Sequence, residues 1–174
     1  ASSRIEGTTA VLRDVLQYEA VEEAFQPSED VREVVNYVRA LSYGFQRPDE
    51  REFSIGFVNE LHRLMMDSVR GQDRNPGAFR TKQVVIGRPG ATPQTARFVP
   101  PLASHVPELM EALIKWVKDE ESIPGLVRLA LMHYQFETIH PFEDGNGRVG
   151  RLLISLLLRE WGLMEHPVLY LSEY

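Results

Sequence analysis

The chain has 174 residues and a mass of 19.9 kDa, of which 43% are hydrophobic and 25% are charged. This composition is typical of one soluble globular domain over residues 1–174, and it excludes disordered and fibrous classes. The net charge of -6 disfavours nucleic acid and anionic membranes as partners, and the lack of cysteine excludes disulfides, thiol catalysis and Cys-based zinc sites. The longest apolar stretch, 152–158, is far shorter than the ~20 residues of a membrane span. We therefore expect a cytoplasmic protein.

The first third of the sequence predicts three amphipathic helices. Apolar residues recur with a helical period over residues 8–24, over residues 28–44, and from about residue 53 to the glycines that begin at Gly71. Ser28 precedes two acidic residues, which is typical of a helix N-terminus. The chain begins at Ala1 rather than at methionine, which predicts a fragment of a longer protein.

Residues 79–99 differ in composition from the helices before them. They are rich in Thr, Val, Phe and Gly, with Pro89 and Gly90 in the middle, and so predict two short strands around a turn. No acidic residue occurs between Arg74 and Pro107, whereas five basic residues do: Arg74, Arg80, Lys82, Arg88 and Arg97. Two interpretations stay open, a solvated hairpin or a surface that meets an anionic ligand or an acidic target.

The second half is again helical by its periodicity. Helices are predicted at 108–118, 124–139 and 147–161, followed by a short tail that is extended at 168–171. The fold class is therefore mainly α with one small β-hairpin.

The segment 140–151, HPFEDGNGRVGR, joins the last two predicted helices. Pro141 disfavours helical geometry at His140, so the preceding helix should end near Ile139 with the imidazole at its end. Gly145 and Gly147 let main-chain N–H groups approach a ligand, and the helix that follows presents its positive end to an anion. Together with Gly150, these glycines match the dinucleotide-binding pattern G-x-G-x-x-G, but a helix rather than a strand precedes them.

The charged side chains of this segment are also suited to binding an anion, in particular a polyphosphate. Arg148 and Arg151 are three residues apart, so both can project toward a polyphosphate. Asp144 offers a hard oxygen ligand of the kind that Mg²⁺ uses beside phosphates. A histidine that can accept a proton at neutral pH completes a set that indicates phosphate transfer chemistry.

At this point the sequence resembles the Fic-domain proteins. Residues 140–151 fit the family signature HPFx(D/E)GNGRxxR at every specified position, and the similarity extends through residues 76–80, 83–87 and 126–139. The resemblance implies a Fic core helical bundle with a β-hairpin flap over the active site. It also implies Mg²⁺-dependent transfer of AMP from ATP to a Tyr, Thr or Ser hydroxyl of a target protein.

The resemblance implies a role for each motif residue. His140 would take the proton from the attacking hydroxyl, and Phe142 would be a buried anchor. Asp144 would hold the metal ion. The nucleotide-binding set would be Asp144, Gly145, Asn146, Gly147, Arg148 and Arg151, and the flap 79–98 would clamp the target through Val84, Val85, Ile86 and Gly87.

The N-terminus carries a second resemblance. Residues 2–7, SSRIEG, resemble the (S/T)xxxE(G/N) inhibitory motif found in part of the family. Its members would be Ser2, Glu6 and Gly7, in the class whose inhibitory helix precedes the Fic domain. The resemblance implies that Glu6 pairs with Arg151 and competes with the γ-phosphate.

Several alternatives remain open at this stage. The reverse reaction would remove AMP from a modified target, and transfer of another phosphate-containing group is a further enzymatic alternative. A nucleotide-binding regulatory or scaffold module would hold the ligand without turnover. The target is unknown, a homo-oligomer is an open alternative, and His62 and His105 match no motif.

Overall fold

The computed structural model describes residues 28–46, 53–69 and 71–165, and the structural statements below concern those residues. The described part contains five α-helices, here named α1 Glu29–Phe45, α2 Ile55–Met65, α3 Val106–Asp119, α4 Gly125–Ile139 and α5 Asn146–Glu160, with a short 3₁₀ helix Ala103–His105 before α3. The mainly helical fold class is confirmed. The predicted helix at 8–24 and the extended tail at 168–171 lie outside the described residues.

Local signals set the helix ends. The Ser28 hydroxyl accepts the N–H of Val31 at 3.3 Å, and the Ser54 hydroxyl accepts the N–H of Phe57 at 3.2 Å. Each serine thereby satisfies an N–H group that has no partner within the first helical turn. Helix α2 ends at Met65, earlier than the predicted stop near Gly71.

Helix α5 lies at the centre of the bundle. It packs against α1, α2 and α4, while α4 also packs against α3. Its buried apolar residues are Val149, Leu152, Leu153, Leu156, Leu157 and Leu158. Burial of several faces fixes the helix whose first turn carries the candidate site. In the described part of the chain, no helix is long and apolar enough to cross a membrane.

The predicted hairpin is less regular than expected. Over residues 79–98 the chain forms a single antiparallel bridge between Ile86 and Phe98 rather than two strands. Proline has no N–H to donate, and this region and its return are rich in proline, which limits the ladder. The Gln83 side chain instead donates to the carbonyl of Pro100 at 2.8 Å. The expectation of two short strands was therefore wrong, although the chain does turn back on itself.

Candidate active site

His140 ends helix α4 in the left-handed conformation, with φ 50° and ψ 63°. Its N–H still donates to the carbonyl of Phe136 at 2.9 Å, so the residue closes the last turn of the helix. Pro141 disfavours α-helical geometry at the residue before it, which explains why the helix stops here. The predicted position of His140 at a helix end is confirmed.

The His140 ring is held in a largely buried position, with a side chain that is 21% exposed. Its Nδ1 lies 3.9 Å from Oε2 of Glu137 and is buried. Burial lowers the pKa of His140 below its usual value, the Glu137 carbonyl opposes this effect, and the charge of Arg80 adds to the lowering. The ring is therefore neutral at pH 7, and Nε2 is the nitrogen left to accept a proton.

The loop between α4 and α5 is closed by one side chain. Oδ1 of Asn146 accepts the N–H of Phe142 at 2.9 Å, and its Nδ2 donates to the carbonyl of Phe142 at 2.9 Å. Both residues are buried. The Asn146 side chain is therefore used inside the loop, so a contribution of this residue to an anion hole would come from its main-chain N–H.

Gly145 begins helix α5 with φ 74°, in the left-handed region that glycine adopts without strain. A Cβ added here would lie 2.8 Å from Sδ of Met66, so this position also lacks room for a side chain. No side chain caps the first turn of α5 among the described residues. Its first N–H groups therefore have no side-chain partner, which is what an anion site at this turn would require.

Asp144 lies directly before this turn, with a side chain that is 43% exposed. Its Oδ1 accepts the N–H of Gly145 at 2.7 Å, which fixes the carboxylate and leaves Oδ2 without a hydrogen bond among the described residues. In the part of the chain that the structure describes, no cluster of three or more acidic or histidine residues could hold a metal ion by itself. A single carboxylate fits Mg²⁺ that takes its other ligands from phosphates and water.

The two arginines of the segment differ in environment. Arg148 is buried, with Nη1 3.5 Å from Oε1 of Glu33 on α1 and Nη2 3.9 Å from Oδ1 of Asp144. Arg151 lies one turn further along α5 and is partly exposed. Its charge contributes to lowering the pKa of His133 on the facing helix. Arg151 is therefore the more accessible guanidinium, and Arg148 is held by carboxylates on two sides.

His62, on helix α2, contacts the loop between α4 and α5 and holds it in place. This role was not predicted from the sequence. The ring is fully buried and stacks on Phe142 with 3.8 Å between ring centroids. Its Nδ1 accepts the N–H of Gly77 at 2.9 Å, so Nε2 carries the proton and donates to the carbonyl of Asp144 at 3.1 Å. Its position on the apolar face of α2, one residue after Leu61, is the signal that indicates burial.

Arg80, at the start of the flap, is a second residue that holds the loop between α4 and α5 in place. It is 2% exposed, and its guanidinium donates to the carbonyls of His140 at 2.8 Å and Pro101 at 2.6 Å. Its main-chain N–H donates to the carbonyl of Pro141 at 2.9 Å. Arg80 therefore belongs to the interior and joins the flap to the end of α4, whereas the sequence grouped it with the basic residues of the hairpin.

The flap residues follow Arg80 along the chain. Val84, Val85 and Ile86 are half-buried, and Gly87 is exposed. Ile86 pairs with Phe98, while the N–H groups of Val84 and Val85 make no hydrogen bond among the described residues. The predicted inhibitory residues Ser2, Glu6 and Gly7 lie outside the described residues.

Comparison with known protein families gives two matches. The family described as Fic/DOC matches residues 52–158, and the one described as Fic/DOC family N-terminal matches residues 1–46. The first match contains the loop, both supporting residues and the flap.

Individual relatives agree with the family match. The chain is 32% identical over 127 residues to protein adenylyltransferase fic-1 of Caenorhabditis elegans, covering 72% of this chain and 23% of that protein. It is 44% identical over 69 residues to a probable protein adenylyltransferase of Aquifex aeolicus, covering 40% of this chain and 22% of that protein. The chain therefore spans about a quarter of the length of these curated relatives.

Solved structures have the same fold. A Fic family protein from Desulfovibrio desulfuricans superposes with a TM-score of 0.72 at 32% identity, over 92% of this chain and 46% of that one. A Fic domain containing signaling protein from Bacteroides thetaiotaomicron gives a TM-score of 0.74 at 26% identity, over 92% of this chain and 60% of that one.

Proposed function

Because the chain belongs to the Fic/DOC family, we propose that it transfers AMP from ATP to a Tyr, Thr or Ser hydroxyl of a target protein. The names of the relatives in Caenorhabditis elegans and Aquifex aeolicus support adenylyl transfer as the activity. One observation carries the proposal for this chain. A neutral, partly accessible histidine stands at the end of α4, and one short loop separates it from the uncapped first turn of α5.

The proposed reaction is a displacement at the α-phosphorus of ATP. The target hydroxyl oxygen forms a bond to that phosphorus, the bond to the pyrophosphate group breaks, and Nε2 of His140 takes the hydroxyl proton. The lowered pKa of His140 keeps the ring unprotonated at neutral pH, as a general base requires. Nδ1 is buried and faces Glu137 at 3.9 Å, so Nε2 is the ring nitrogen that the hydroxyl would reach.

The nucleotide phosphates would lie against the first turn of α5. Main-chain N–H groups at Asn146 and Gly147, together with the helix dipole, favour bound negative charge. Arg151 would contact the γ-phosphate. Arg148, which is buried beside Glu33, would add positive charge near the first turn of α5. Asp144 would hold Mg²⁺, which neutralises phosphate charge when bound.

The target would bind along the flap. A segment in extended conformation can pair with the main-chain groups of Val84 and Val85 by adding a strand at this edge. Such pairing uses only main-chain hydrogen bonds, so target segments of many different sequences could bind in this way. Arg80 ties the first residues of the flap to the His140 carbonyl, which keeps the bound segment in register with the base.

Autoinhibition by Glu6 belongs to the same proposal. Its support is the S-x-x-x-E-G pattern at residues 2–7 and the match of the N-terminal family description to residues 1–46. A carboxylate at Arg151 would compete with the γ-phosphate for the guanidinium and weaken productive ATP binding.

Labelling with α-³²P-ATP and Mg²⁺ tests the activity. We expect weak labelling of protein by the wild type and strong labelling by Glu6→Gly, because the variant lacks the carboxylate that would compete with the γ-phosphate at Arg151. Addition of His140→Ala to Glu6→Gly should abolish labelling, whereas addition of His105→Ala, at an exposed histidine far along the sequence from the loop, should leave it unchanged.

The labelling experiments test the catalytic base, the inhibition and the transfer activity separately. Labelling that survives His140→Ala would contradict the role of this histidine as the base. Equal labelling by the wild type and Glu6→Gly would contradict the inhibition. Tight ATP binding in calorimetry without transfer by any variant would contradict adenylyl transfer and favour a binding module.

A further inference from the structure

The tip of the flap forms an open cleft that the proposed chemistry does not use. The cleft has a volume of about 750 Å³ and is formed by the chain between Ile86 and Arg97. Two arginines, Arg88 and Arg97, line it together with the aliphatic side chain of Ala91. Both arginines are exposed, and neither makes an ion pair with a described residue.

The charge at this tip is one-sided. Of the five basic residues between 74 and 107, Arg80 is buried among carbonyls and Arg74 lies 3.9 Å from Asp73. Three exposed cations remain, namely Lys82, Arg88 and Arg97, and no acidic residue occurs from 74 to 107 to balance them. A local positive field therefore stands on a protein whose net charge is -6.

The cleft is connected to the candidate active site through the flap. The flap begins at Arg80, which binds the carbonyls of His140 and Pro141, and reaches the cleft at residues 86–88. An extended chain advances ~3.3 Å per residue, so the eight residue steps from Arg80 to Arg88 span at most about 26 Å. A peptide paired along this edge, with its hydroxyl at His140, would bring residues about six to eight positions away to the cleft.

We propose that this cleft is a specificity subsite for acidic side chains of the target, located about six to eight residues to one side of the modified hydroxyl. This inference rests on the proposed function, because it assigns part of the target segment for that reaction. Guanidinium groups pair with carboxylates in a bidentate geometry, and two arginines line this one cleft. Main-chain pairing at the flap edge supplies little selectivity, so charge at the tip would select among the hydroxyls of a proteome.

Synthetic peptides of matched length test the subsite. Each peptide carries one central hydroxyl residue, with an acidic, neutral or basic group of residues placed on either side. We expect the acidic peptide to bind about fivefold to tenfold more tightly than the basic one, which corresponds to two exposed ion pairs. The preference should weaken as salt is raised from low to high concentration.

Reversing the charge of the two cleft arginines tests whether they cause the preference for acidic peptides. Arg88→Glu combined with Arg97→Glu should invert the preference, so that the basic peptide binds more tightly than the acidic one. The matched control is Arg39→Glu, which reverses an exposed arginine on α1 and should leave the preference unchanged. Equal binding of acidic and basic peptides, or a preference that survives the double reversal, would overturn the subsite.

Two readouts separate this inference from the activity on which it rests. Peptide binding is measured by fluorescence anisotropy without ATP, and AMP transfer is measured by labelling in the Glu6→Gly background. Transfer without a charge preference refutes the subsite alone. Charge-dependent binding without transfer supports the subsite and refutes the proposed function. An oligonucleotide that displaces the acidic peptide as well as a second acidic peptide does would show a general polyanion surface and overturn the assignment to peptides.

Discussion

Replacement of His62 by leucine should destabilise the protein by a predictable amount. The ring is fully buried, accepts the N–H of Gly77 and donates to the carbonyl of Asp144. Leucine has a similar volume but cannot bond either group, so two buried polar groups lose their partner at about 1–3 kcal/mol each. We therefore expect a loss of about 4 kcal/mol, or about 8–16 °C in Tm for a chain of this size.

The same substitution should change the pH dependence of stability. Burial lowers the pKa of His62 from 6.5 to about 4. A histidine with a depressed folded pKa contributes stability above its unfolded pKa, and this contribution is lost as pH falls through 6.5 toward 4. Between pH 7.5 and pH 5 the wild type should lose about 2 kcal/mol through this group, and His62→Leu should not.

Thermal unfolding at the two pH values measures this difference. The gap in Tm between wild type and His62→Leu should narrow by about 4–8 °C on going from pH 7.5 to pH 5. His105→Leu, at an exposed histidine, is the control and should show no such change. His62→Gln, which keeps a donor near Nε2, should recover part of the stability at pH 7.5. A gap that is equal at both pH values would refute the buried neutral state of His62.

Three further predictions concern the same loop. Arg80→Leu leaves the carbonyls of His140 and Pro101 without their donor, so a loss of about 3 kcal/mol is expected in denaturant unfolding; a loss below about 0.5 kcal/mol would contradict its supporting role. Gly145→Ala should lower AMP transfer at least tenfold, because φ is 74° and the new Cβ meets Met66. Gly162→Ala shares the positive φ but has open space around its Cβ, so its transfer rate should stay near that of wild type. The pH–rate profile of transfer should fall on the acidic side with a midpoint below 6.5, because burial lowers the pKa of His140; a midpoint above 6.5 would contradict this assignment.

Local patterns in the sequence were enough to predict the five described α-helices and the position of the loop. The helical period of apolar residues and the Ser28 cap predicted α1, and Pro141 predicted where α4 ends. These features depend on residues that are neighbours in sequence, so a single sequence contains them. The irregular flap was not predicted, because the composition of residues 79–99 indicates strands whereas the prolines decide how many ladder bonds form.

The supporting residues could not be predicted, because each acts on a segment distant in sequence. His62 and Asp144 are 82 positions apart, and Arg80 and His140 are 60 positions apart. Glu33, on a third element, reaches Arg148. The motif supplies the reacting groups, whereas polar side chains from α1, α2 and the start of the flap fix the geometry of the loop on which these groups stand. Substitution at such a position should impair the reaction although every motif residue is intact, and a search for the motif alone would still classify that variant as active.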